Sequence, residues 1–110
     1  MADLVVQKIS LSGLDPSYTP GSAEGHEFIN NGRTFIYVAN LNGTFYRSVF
    51  IESPGKCSFG YNHNIEIIID ANCARRIGPF PMGRFNDIYG KVHVTYSLGI
   101  DMEIVAMELP

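Results

Sequence analysis

Tryptophan is missing from this chain, cysteine occurs twice, and Lys and Arg number 8 against 11 Asp and Glu in 110 residues. Each shortage excludes something. Without Trp there is no core indole packed on a cysteine pair, the mark of immunoglobulin domains, and a sugar-binding reading loses its best stacking group. A net charge of −3 and a pI near 5.5 argue against duplex nucleic acid, whose phosphates are held by clustered Lys and Arg. Only Arg75-Arg76, with Arg84 further on, forms a local cationic group. No stretch approaches the ~20 apolar residues of a membrane span, and Met-Ala-Asp-Leu-Val-Val-Gln-Lys lacks the basic start and apolar run of a secretory signal. The expectation is a cytosolic product with no membrane partner. In a reducing compartment Cys57 and Cys73, 16 residues apart, are expected as free thiols, and a bridge would need strands to bring them together.

Patterns that carry chemistry are equally scarce. Among His26, His63, His93, Cys57 and Cys73 the only close pair is Cys57 and His63, with no CxxC or HxH partner, so these residues read as structural and no metal or cofactor is expected. Glu24, Glu27, Glu66, Asp70, Asp87, Asp101 and Glu103 could supply two carboxylates for glycoside hydrolysis, but no aromatic residues flank them at strand positions. Nothing places a nucleophile beside a base or forms a phosphate-cradling loop. The chain reads as a non-enzyme whose function is binding. Charged residues make up 17%, below the usual ~25%, which fits either partly covered faces or simply many Asn, Gly, Ser and Thr in turns.

What the chain does have is a hydrophobic period of two. Leu4 to Leu11 reads as a first strand, with Val5, Ile9 and Leu11 on one face and Val6, Lys8 and Ser10 on the other. Ser12 to Glu24 carries Gly13, Pro16, Pro20 and Gly21 and reads as a mobile loop. Strands follow at Glu27 to Ile29, Thr34 to Asn40 and Thr44 to Glu52. Asn42-Gly43 supplies the residues of a type I′ turn, which predicts that Phe35 to Val38 and Phe45 to Ile51 pair as a hairpin. The Thr34 to Asn40 and Thr44 to Glu52 strands are apolar on both sides, which places them centrally in a sandwich or against another subunit.

Cys57 to Asn64 reads as a loop anchored by Phe59 and Tyr61. Ile65 to Asp70 reads as a buried strand, Ala71-Asn72 as a turn, and Cys73 to Ile77 as an edge strand whose arginines discourage pairing with other chains. From Ile77 to Ser97 a stiff Gly/Pro/aromatic corner joins a strand beginning at Lys91. Asn86-Asp87 should bond back to the backbone and fix that strand's entry. Lys91 to Ser97 and Met102 to Leu109 read as a second hairpin. Pro79 and Pro81 hold an extended segment around Phe80, making that ring a docking anchor if exposed and a core plug if buried.

The expected fold is all-β: a single-domain antiparallel β-sandwich of about seven to nine short strands, jelly-roll or immunoglobulin-like in wiring, with the jelly roll preferred for lack of Trp. Residues 1–26 form an N-terminal strand and flexible arm, and residues 27–110 form the sandwich body.

The N-terminal Met-Ala-Asp-Leu-Val-Val-Gln-Lys-Ile-Ser-Leu-Ser-Gly-Leu, the central Asn-Asn-Gly-Arg-Thr-Phe, and the later Ile-Gly-Pro-Phe-Pro, Arg-Phe-Asn-Asp and Gly-Lys-Val-His-Val-Thr-Tyr-Ser resemble a group of small virion proteins of tailed bacteriophages. The resemblance implies a non-enzymatic structural role, a capsid decoration or cement protein docked on the major capsid protein. It implies a virion location after synthesis in the host cytoplasm. A head-completion or tail component would leave the same trace. Self-association, for instance as a trimer at a shell's threefold points, is expected from symmetry. The candidate docking residues are Leu4 and Val6 on the first strand, Tyr18 on the arm, and Phe80, Arg84 and Phe85 at the corner. The alternative from another class is a carbohydrate-binding sandwich using Tyr18, Tyr46, Tyr61 and Tyr89.

Overall fold

The structure, a computed structural model, describes residues 1–54 and 64–110. Cys57, Phe59, Tyr61 and His63, and with them the expected loop and any Cys57–Cys73 bridge, lie outside the described residues. In chain order the elements are β1 (Ala2–Asp3), β2 (Gln7–Lys8), β3 (Thr19–Pro20), β4 (His26–Ile29), β5 (Thr34–Asn40), β6 (Arg47–Ile51), β7 (Ile65–Ile69), β8 (Ala74–Ile77), α1 (Met82–Phe85), β9 (Lys91–Tyr96) and β10 (Met102–Glu108). One sheet has the order β1-β4-β9-β6-β7. The other has β2-β10-β5-β8, with β3 also paired to β10. The expected all-β sandwich is what forms.

Alternation puts one side of each strand into the interior. Phe28, Ile36, Val38, Val49, Ile51, Ile69, Val92, Val94, Met102, Ile104 and Ala106 form the core with Leu4, Phe80 and Phe85. Each large side chain so buried contributes about 1.5–3 kcal/mol of transfer free energy. Phe80 sits between Phe28 and Phe85, with ring centroids 5.8 and 5.5 Å away. The turn before it needs Gly78: its φ is +128°, and a Cβ there would stand 2.8 Å from the Phe35 Cβ.

Several local expectations are corrected. Asn42-Gly43 does not join a hairpin, because β5 pairs with β10 and β8 while β6 pairs with β7 and β9 in the opposite sheet. Neither residue has a positive φ. Instead the Asn42 Oδ1 accepts from the Thr44 and Phe45 N–H groups at 2.9 and 2.8 Å, a side-chain turn that lets the chain cross between sheets. β9 and β10 likewise lie in different sheets. The Ile65 to Asp70 strand is an edge rather than buried: among the described residues β7 pairs only with β6, and Ile68 is exposed.

Of the expected Leu4 to Leu11 strand only Gln7–Lys8, β2, is strand, and the two-residue β1 just before Leu4 lies in the other sheet. β1 runs parallel to β4 and β2 parallel to β10. Between them the chain crosses the sandwich edge, burying Leu4 in the core and exposing Val5. The Ser12 to Glu24 segment carries β3 and is fastened by Gln7, whose side chain donates to the Ser17 carbonyl and accepts from its N–H, both at 2.9 Å.

A buried asparagine closes each end of β5. Asn30 donates to the Phe80 carbonyl at 2.9 Å and to the Asn86 Oδ1 at 2.8 Å. Asn40 donates to the Phe45, Ile69 and Asp70 carbonyls at 2.9, 3.1 and 3.3 Å and accepts from the Asn42 N–H at 3.0 Å. Each side chain satisfies backbone groups of chain segments that leave their sheets, which is what buried backbone polar atoms at a crossing require.

Candidate functional site

Two surfaces of the sandwich gather side chains that could act together. The first lies on the outer face of the β4/β9/β6 sheet. Glu27 stands directly opposite His93 in the β4/β9 register, and Glu52 follows β6 beside it, its N–H bonded to the His93 carbonyl. Asp87 folds over from the turn before β9, where its Oδ1 accepts from the Tyr89 and Lys91 N–H groups at 2.8 and 3.0 Å. That is the back-bonding expected of Asn86-Asp87. The Lys91 N–H, together with His93 and Tyr89, holds the Asp87 carboxyl below its ordinary 3.8.

The His93 Nε2 lies 2.6 Å from the Asp87 Oδ2 and 3.3 Å from the Glu27 Oε2, and its Nδ1 lies 3.3 Å from the Glu52 Oε2. Lys91 donates to Asp3 at 2.7 Å and lies 3.7 Å from Glu27. The Asp3 hydrogen bond holds the Lys91 ammonium above its ordinary 10.5, and the same bond holds Asp3 below 3.8. Among the described residues, Glu27, Asp87 and His93 form a group that could hold a metal ion, with donor atoms within 4.8 Å of one another. As placed they bind each other, so that the imidazole ties the 86–90 turn to β4 and to the end of β6. All its polar partners among the described residues are carboxylates, and no hydroxyl or thiol is bonded to it.

The second surface is one end of the sandwich. The β5–β6 and β9–β10 connections meet there: the Leu41 N–H donates to the Asp101 carbonyl at 2.7 Å, and the Asn42 Nδ2 donates to the Asp101 Oδ2 at 3.2 Å. These connections present Leu41, Phe45, Tyr46, Leu98 and Ile100, each 46–64% exposed. Asn40 and Asn42 fix the loop that carries Phe45 from beneath. Several large apolar groups held outward on a rigid support are the usual make-up of a protein-docking patch.

The structure separates most of the residues expected to dock. Phe80 (2% exposed), Phe85 (3%) and Leu4 (7%) are core, and Val6 packs partly buried against it. Phe80 is therefore the plug, not the anchor. Arg84 lies over the Phe85 ring, 4.7 Å from its centroid. Tyr18 is half-exposed and leans edge-on against Tyr37. Of the other tyrosines considered for sugar stacking, Tyr46 and Tyr89 stand beyond opposite ends of β5 and form no common platform. The grouping of these two connections was missed although they carry a local signal, five aliphatic or aromatic residues in and beside Asn/Gly turns. The Glu27–Asp87–His93 grouping carries none, because it depends on which distant strands pair.

The fold defines the class, a single-domain all-β sandwich. Comparison with known proteins found no matching family model, no matching curated protein and no matching solved structure.

Proposed function

We propose that this chain is a non-enzymatic structural protein that docks on a repeated protein shell, a decoration or cement protein on the major capsid protein of a tailed-phage head. The observation that supports docking is the end surface: five large apolar side chains held outward on two mutually bonded connections. The resemblance to small virion proteins supplies the kind of surface docked upon. A decoration protein needs a rigid body and one patch that meets the same site many times, because each copy then holds with a modest interface of about 800 Å² per partner and the shell gains from their number. A closely hydrogen-bonded sandwich that carries five exposed apolar side chains on two mutually bonded connections at one end meets both needs.

The test is co-sedimentation of the purified chain with shells that lack it. Saturation at a simple ratio to the major shell protein is expected. A Phe45→Ser/Ile100→Ser double variant, changed only at exposed positions, is expected to melt like the parent and to lose binding by at least tenfold, as hot-spot aromatic and aliphatic anchors do. Failure of the parent to bind shells, with binding to isolated necks or tails, would move the protein to head completion or the tail. Full binding by the double variant would remove the end surface as the contact.

A further inference from the structure

The outer face of the other sheet holds a groove that the docking surface does not use. Its floor is β5 and β10, and its wall is the segment following β2 that Gln7 fastens at Ser17. Ile9, Tyr18, Phe35, Tyr37, Arg76 and Met107 line it, enclosing about 290 Å³. At about 30 Å³ per water-sized group this accommodates roughly ten non-hydrogen atoms, the size of a small ligand rather than of a folded partner.

The polar groups at this groove are of one kind. Arg76 stands opposite Tyr37 in the β5/β8 register, its guanidinium carbon 5.1 Å from the ring centroid. Among the described residues it forms no ion pair and no hydrogen bond, and the Tyr18 and Tyr37 hydroxyls also lack bonding partners. A cation and two phenolic donors therefore border an apolar trough, with no acidic side chain lining it. A guanidinium lying on an aromatic face keeps its N–H edge free for a carboxylate.

We propose that this groove binds a small monocarboxylate with an apolar body, a medium-chain aliphatic or arylalkyl acid, its chain along Ile9, Phe35 and Met107 and its carboxylate on Arg76. Charge complementarity selects the acid over its neutral analogues. A ligand of this size is expected to bind with a dissociation constant on the order of 0.1–1 mM. Binding here is independent of shell docking, since the groove lies on a sheet face and the docking loops at one end.

The experiment is amide-shift titration of the full, nitrogen-15-labelled chain with octanoate and with 3-phenylpropionate, against octanamide and 3-phenylpropanamide. Saturable shifts confined to β5, β10, β8 around Arg76 and residues 9–18 are expected, at least tenfold weaker for the amides. Arg76→Met should abolish saturation up to about 10 mM. Arg75→Met, on the same exposed edge strand but away from the groove, should bind like the parent and controls for folding of β8. Equal binding of acid and amide, unchanged binding by Arg76→Met, saturation by a methyl glycoside but not by the acids, or no saturable shift with either acid would overturn the proposal.

Discussion

Replacing Asn40 tests the link between the sandwich core and the surface proposed to dock. The side chain is 1% exposed. Its amide donates to three carbonyls, of which the Phe45 and Ile69 contacts at 2.9 and 3.1 Å are the firm ones, and its Oδ1 accepts from the Asn42 N–H at 3.0 Å. Asn40→Ala removes these partners and leaves buried backbone groups unpaired. At about 1 kcal/mol for each of three firm bonds, with part of the loss recovered where water reaches the loop, the expected cost is roughly 2–3 kcal/mol. For a chain of this length that lowers Tm by about 10–20 °C.

Asn40→Asp is the sharper variant. It keeps the shape but turns an acceptor toward three carbonyl oxygens, so it should be less stable than Asn40→Ala at pH 7 and recover as acid protonates the carboxyl. Urea unfolding with a constant m-value reads both effects. An Asn40→Ala protein within about 0.5 kcal/mol of the parent, below the usual cost of one lost bond, would refute this account of how the end of the sandwich is closed. So would an Asn40→Asp protein as stable at pH 7 as Asn40→Ala.

Three further outcomes are expected. His26 is buried against the Tyr96 hydroxyl at 2.8 Å, and burial holds it below its ordinary 6.5; the unfolded chain takes up the proton first, so stability falls as pH drops through 6.5. His26→Gln should therefore flatten the profile of urea midpoint against pH between about pH 5 and 7. Asp87 has the depressed carboxyl described above, so its stabilisation is present above its ordinary 3.8 and is lost as pH falls through the lower folded value; Asp87→Asn should remove that acid-sensitive part, and an unchanged slope between about pH 2 and 4 would contradict it. Arg47 is buried with its Nε unpaired among the described residues. Arg47→Met should change stability by less than about 1 kcal/mol or raise it in denaturant titrations, and a loss above about 2 kcal/mol would show that the guanidinium is better satisfied than its geometry indicates.

Local pattern carried the individual strands further than it carried their partners. Thr34–Asn40 is legible to the residue, because alternation over seven positions is bounded by Asn/Gly turns on both sides. Its neighbours are not legible: the same Asn-Gly signal serves a type I′ hairpin or a crossing between sheets, and here the Asn40 and Asn42 side chains, by bonding the loop backbone, hold the crossing. The β9–β10 connection misleads in the same way. At the N-terminus a continuous period of two hides a switch of sheets, since Leu4 and Val6 turn toward the core while Val5 faces water. Phe80 shows the limit for sites. Proline on both sides fixes its backbone without deciding which way the ring points, and the ring packs between Phe28 and Phe85.

The central claim is that the loops at 41–46 and 97–101 form the contact with a repeated shell. Hydrogen–deuterium exchange of the chain free and bound to shells tests it most directly. Strong protection confined to those two connections, with no change on the opposite end around residues 86–90, is the predicted result. Protection centred on residues 86–90, or on the groove beneath residues 9–18, with the 41–46 connection exchanging as in the free chain, would contradict it.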